Sequence, residues 1–117
     1  MQLNEISFPD ARPIDGYGPN FFRIGGEIVE GAVIVSPAGV GAWGGYDDIE
    51  RLTDLSDVID VLFVGTGAEI APVPQEFRDA LEARGVGVEP MSSPAACRTY
   101  NVLLAEGRRV AAALIPV

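Results

Sequence analysis

The stretch Val58-Ile59-Asp60-Val61-Leu62-Phe63-Val64, closed by Gly65-Thr66-Gly67, decides how the chain is read. Asp60 is its one charge. An apolar run of this length, rich in β-branched side chains and ended by glycines, fits a strand buried on both faces, and such strands belong to sheets with helices packed on either side. The residues that follow agree. Pro74 suits the first turn of a helix whose apolar side is Phe77, Ala80 and Leu81 and which Gly85 can close in the left-handed conformation. Val86, Val88 and Met91 begin another strand. Ser93 followed by Pro94 marks a second helix start, because a hydroxyl there accepts from a free amide and proline forfeits no hydrogen bond. Its stripe is Ala96, Tyr100, Leu103 and Leu104, its stop Gly107, and Arg108 to Ile115 is a third apolar strand whose three alanines let helices approach closely. Strand, helix, strand, helix, strand implies parallel pairing through right-handed crossovers.

Upstream the grammar differs. Residues 1–45 are punctuated by Gly and Pro and carry short β-type runs at Ile6–Phe8, Phe21–Ile24, Glu27–Val29 and Ala32–Val35. Gly25-Gly26 reads as a tight turn, Gly31 as a bulge, and Asp47 as the cap of a short helix over Asp48 to Thr53. No repeat, linker or low-complexity tract divides the chain. The expected fold is therefore α/β: one compact three-layer domain over residues 1–117, with a mixed central sheet, N-terminal hairpins and a C-terminal β-α-β-α-β unit.

The chain has 117 residues, 48% of them hydrophobic, and a net charge of −9. A chain this long removes about two-thirds of its extended surface from water, enough for a core without metal or disulfide staples. All eight basic residues are Arg; His and Lys are absent and Cys occurs once, at Cys97. Imidazole bases, imidazole metal ligands, Schiff-base lysines, internal disulfides and Cys-rich zinc sites are thereby excluded. A pI near 4.2 makes nucleic acid an unfavourable partner, since the protein's own field repels a polyanion. The acidic start, MQLNEISFPDARP, resembles neither a secretory nor a transit peptide, and no apolar run approaches the ~20 residues of a membrane span. The expectation is a chain read as mature from Met1, not inserted in a membrane, and cytoplasmic.

Three constellations could carry chemistry. Gly65 and Gly67 after the buried strand, with Glu89 at the end of the next, imitate a dinucleotide fingerprint; however, Ile70 stands where a third glycine belongs, and Glu69 and Glu76 would face the phosphate. The plainer reading is a sharp turn at the sheet edge. The second is Arg98-Thr99-Tyr100-Asn101, early in the last helix, where three poor helix formers in succession imply a tertiary use. Tyr100 is read as core with its hydroxyl bonded to a neighbour, Arg98 as a clamp or an anion-binding side chain, and Asn101 as fastening a loop or meeting a ligand. Cys97 beside them is read as a small buried hydrophobe rather than a nucleophile, for want of a base. The third is the loop Ser36 to Gly45, four glycines around the one Trp. Trp43 either projects as an interface anchor or folds back over the sheet. If Ala32–Val35 runs the same way as Val58–Val64, this loop, the glycine pair and the start of the last helix share one sheet end and one pocket. The acidic residues show no spacing that singles out a metal or acid–base pair.

The segments Val61-Leu62-Phe63-Val64-Gly65-Thr66-Gly67, Met91, Ala96-Cys97-Arg98-Thr99-Tyr100-Asn101 and Glu106 to Pro116, with Tyr17-Gly18, Phe22-Arg23-Ile24 and the Trp43 loop, resemble a small-domain family of largely unknown function. That family includes the mitochondrial NADH dehydrogenase (complex I) assembly factor three and the adipogenesis-associated domain protein. The resemblance covers nearly the whole chain, and the short acidic N-terminus is similar to bacterial members. It implies a compact three-layer α/β fold, no established enzymatic activity and, from the mitochondrial member, assembly of a membrane complex through protein contacts.

Together these readings give a non-catalytic protein-interaction module without a cofactor, with respiratory-complex assembly as its implied role and with Trp43 and the Gly65–Gly67 edge in its partner surface. The competing reading is a small-molecule or anion-binding protein, or an enzyme, whose pocket lies at the Gly65–Gly67 loop and the start of the last helix, among Gly65, Thr66, Gly67, Ser93, Arg98, Thr99, Tyr100 and Asn101, with Arg98, Thr99, Asn101 and the Thr66 loop amides as its donors.

Overall fold

The structure, a computed structural model, describes residues 12–117. Three short strands, β1 (Ile14–Gly18), β2 (Phe21–Ile24) and β3 (Glu27–Glu30), form an antiparallel sheet in the order β1-β2-β3. The chain continues through β4 (Val33–Ser36), β5 (Gly39–Ala42), α1 (Glu50–Thr53), β6 (Val61–Thr66), α2 (Gln75–Glu82), β7 (Gly87–Met91), α3 (Ser93–Ala105) and β8 (Val110–Ile115). Its second sheet has the order β5-β4-β8-β6-β7, and β8, the last strand, lies in the middle. β6 pairs in parallel with both β7 and β8, whereas β4 is antiparallel to β5 and β8. The expected mixed sheet and β-α-β-α-β unit are present.

The period of two along the central strands divides the core into two layers. Leu62 and Val64 of β6 with Ala111 and Ala113 of β8 face Phe77 and Leu81 of α2 and Leu52 of α1. Phe63 with Val110, Ala112 and Leu114 faces Ala96, Cys97 and Tyr100 of α3 and the inner residues Ile14, Phe22 and Ile24 of the small sheet. α2 and α3 thus lie on opposite faces. The step from β6 to β7 and the step from β7 back across β6 to β8 run in opposite directions, so opposite faces give the two crossovers one hand, as the right-handed rule requires. Asp60, the charge in the apolar run, stands just before β6; its N–H and C=O join Arg109 and Gly87, and its carboxylate accepts from Arg109 at 3.0 Å.

Several local expectations are corrected. Gly39–Ala42 is a strand, not part of a loop, because it pairs residue by residue with β4. Gly31 is no bulge; with φ +81° it turns β3 into β4. α1 begins after Ile49 with no side-chain cap; Asp47 does not cap it, and the neighbouring Asp48 carboxylate accepts from Gly44 N–H at 2.9 Å. A strand expected at Ile6–Phe8 lies outside the described residues, while β1 carries no strong β-type run that would announce it.

Candidate functional site

The junction of β6 with α3 is built by Gly65, Gly67 and Ser93. A Cβ on Gly65 would lie 2.7 Å from Ser93 Oγ, 2.8 Å from Leu114 Cδ2 and 2.9 Å from Ser93 Cα, so glycine is what lets the start of α3 sit directly on the sheet. Ser93 is fully buried. Its hydroxyl accepts from Gly67 N–H at 2.9 Å and donates to Ile115 C=O, while its own N–H donates to Gly67 C=O at 2.7 Å. Gly67, at φ +105°, makes the turn that allows this. Ser93 therefore ties three segments together and is not the helix cap; that role falls to Ser92, whose Oγ accepts from Ala95 N–H. The Thr66 hydroxyl accepts from Ala71 N–H at 2.9 Å and lies 2.7 Å from Glu69 C=O, which shapes the following loop. That loop exposes Ala68, Glu69 and Ile70, the last with 69% of its surface open to solvent.

The remaining polar run on α3 divides. Asn101 fastens the small sheet: Ile14 N–H donates to its Oδ1 and its Nδ2 donates to Ile14 C=O, both at 2.8 Å, across 87 residues of sequence. Of the two uses left open for Asn101, the structure shows fastening. Tyr100 is core, but its hydroxyl, expected to be bonded, has no partner among the described residues, and burial pushes its pKa up to about 12. Burial likewise pushes the Cys97 thiol up to about 11, outweighing the neighbouring Arg98 charge. Arg98 is exposed and lines, with Thr99, Val102 and Leu103, an open groove of about 260 Å³ along α3. The Thr66 and Gly67 groups are not part of that groove.

Trp43 folds back: it is 4% exposed, stands edge-on to Tyr46 at 5.5 Å between centroids, and its Nε1 donates to Asp48 C=O. The premise of one shared sheet end also changes, because β4 runs opposite to β8 and hence to β6. Trp43 reaches the carboxyl end of β6 only because β5 turns back, and it packs with Phe77 on the α2 side, away from α3. The sheet thus parts Trp43 from the other expected residues, and the polar side-chain atoms of Trp43, Thr66, Ser93 and Asn101 are engaged by the chain's own backbone. Among the described residues no group of three or more acidic or cysteine side chains is placed to hold a metal ion, and no helix is long and apolar enough to cross a membrane.

What the sequence reading missed lies on the α2 side. Tyr46, half-buried against Trp43 and Phe77, forms with Ile49, Pro74 and Ala80 a groove of about 290 Å³, whose charged lining residues are Asp47 and Glu76. The signal was present in the charge pattern: residues 47–82 hold ten of the 17 carboxylates and two of the eight arginines, a net −8 of the chain's −9.

Residues 14–115 match the model of the family described as "Protein of unknown function (DUF498/DUF598)". The chain belongs to that family. It is 48% identical over 117 residues to an uncharacterised protein of Rhodobacter capsulatus, covering all of this chain and 94% of the relative. It is 35% identical over 123 residues to the mouse protein named NADH dehydrogenase [ubiquinone] 1 alpha subcomplex assembly factor 3, covering 99% of this chain and 66% of the mouse protein. The fold is shared with a crystal structure described as an outer membrane protein from Bartonella henselae, with a TM-score of 0.85 and 41% identity over 93% of this chain and 98% of that one.

Proposed function

We propose that the chain is a non-catalytic protein-interaction module that takes part in assembling a respiratory NADH dehydrogenase, acting in the cytoplasm through protein contacts. The observation that carries this reading is the extent of the likeness to the mouse assembly factor, which spans 99% of this chain. The state of the reactive groups supports it. His and Lys are absent, and the buried thiol and the buried phenol both stay protonated far above neutral pH. The donors once grouped into an anion pocket speak against the competing reading, since Asn101 and the Gly67 amide already hold backbone and Ser93. The side of the molecule offered to a partner near the Gly65–Gly67 edge is the loop bearing Ile70, not the buried glycines or Trp43. In cells that carry this chain and a multisubunit NADH dehydrogenase, deleting it is expected to lower the assembled complex on native gels, with recovery on re-expression. An unchanged amount of assembled, active complex would refute the reading.

A further inference from the structure

We infer that the groove between α1 and α2 docks a basic segment of a partner protein, taking an arginine or lysine side chain between Asp47 and Glu76. This rests on the interaction-module reading and names the partner's chemistry. The groove is more than a charged patch. Its walls are apolar, from Ile49, Pro74, Phe77 and Ala80, and Tyr46 offers an aromatic ring to it. Such walls accept the methylene stem of a long basic side chain, while a ring and carboxylates accept its head. Asp47 and Glu76 are exposed and enter no ion pair or hydrogen bond among the described residues. By contrast, Arg51 and Arg78, the two cations of residues 47–82, are matched locally, by Asp48 three residues before and Glu82 four residues after, each at 3.3 Å. The local field is thus left negative with no basic side chain of that segment free to neutralise it. A surface with this sign steers a cationic partner inward and repels phosphate backbones and anionic lipid. The occupant argued for is therefore a basic protein segment.

The one Trp supplies the readout, since Trp43 touches Tyr46 and Phe77 beneath the groove. The probe is a blocked peptide of alternating arginine and leucine pairs, titrated into the full chain while Trp43 emission is followed, beside the same peptide with citrulline in place of arginine. Saturable binding that weakens with added salt is expected for the arginine peptide alone. The double variant Asp47→Asn with Glu76→Gln should weaken it at least about tenfold. Glu27→Gln with Glu106→Gln, which removes the same charge from elsewhere, should change it by less than about twofold. All four positions are exposed, and matched thermal melts establish that the variants fold. The proposal is overturned by no saturation up to about 1 mM peptide, by equal binding of the citrulline peptide, or by equal weakening in both double variants. It is also overturned if the groove is closed by a second copy of the chain, seen as self-association that the peptide reverses. Loss of the peptide result with the native-gel deficit intact would remove the groove and leave the module; the reverse would remove the assembly role and leave the groove.

Discussion

Replacing Asn101 with alanine tests how the small sheet is held to the rest of the molecule. The amide makes two hydrogen bonds of 2.8 Å to the N–H and C=O of Ile14, a residue 5% exposed. Each bond contributes about 1 kcal/mol net if its partner regains water, and about 1–3 kcal/mol is lost for each group that stays buried without one. The expected destabilisation is therefore about 2–4 kcal/mol, and the melting temperature should fall by roughly 10 °C or more. Urea unfolding followed by circular dichroism measures the first, and amide exchange at the Ile14 and β2 backbone should accelerate in step. Asn101→Asp sharpens the test. Its carboxylate still accepts from Ile14 N–H but sets a second anionic oxygen against the Ile14 carbonyl. The folded state then favours the protonated acid, raising that pKa, so the stability regained is present at low pH and lost as pH rises through the shifted value. A loss below about 0.5 kcal/mol for Asn101→Ala, with exchange at Ile14 unchanged, would refute the clasp.

Gly65→Ala should cost about 1–3 kcal/mol, because the new methyl meets the Ser93 backbone, which its bonds to Gly67 and Ile115 hold in place; a urea midpoint equal to that of the parent would contradict this. Tyr100→Phe removes a buried hydroxyl that has no partner among the described residues and should stabilise by about 1 kcal/mol, read by the same unfolding curve. Because burial raises the pKa of Cys97 and Tyr100, their contribution to stability is intact below pH about 9 and declines as pH climbs toward 11 and 12. Stability against pH should therefore fall on the alkaline side, and less steeply for Tyr100→Phe. Native Cys97 should resist alkylation until the protein is unfolded.

The half of the fold built by long apolar runs was legible in the sequence. Val61–Thr66, Gln75–Glu82, Ser93–Ala105 and Val110–Ile115 lie where runs, stripes and glycine stops place them, since burial on both faces leaves a dense signal. β5 was not legible, because Gly39-Val40-Gly41-Ala42 has little side chain with which to show a period, and its pairing to β4 comes from tertiary context. The direction of β4 was equally hidden: a strand's own residues do not say which neighbour it meets or which way that neighbour runs. At the candidate site, the costly run at 98–101 signalled a tertiary role, but not that Asn101 would spend both its polar ends on a residue 87 positions away. The acidic groove could have been found from the charge tally of residues 47–82, had spacing not been the criterion.

The central place of β8 constrains how the molecule comes into being. During translation β4 and β6 emerge early, yet each must wait for residues 110–115 to slot between them before the five-strand sheet exists. Until then their hydrogen-bonding edges are open to other chains, and the nascent protein depends on chaperone cover or rapid completion. A ribosome stalled short of Val110 would thus release not a smaller version of this protein but two orphaned sheet fragments.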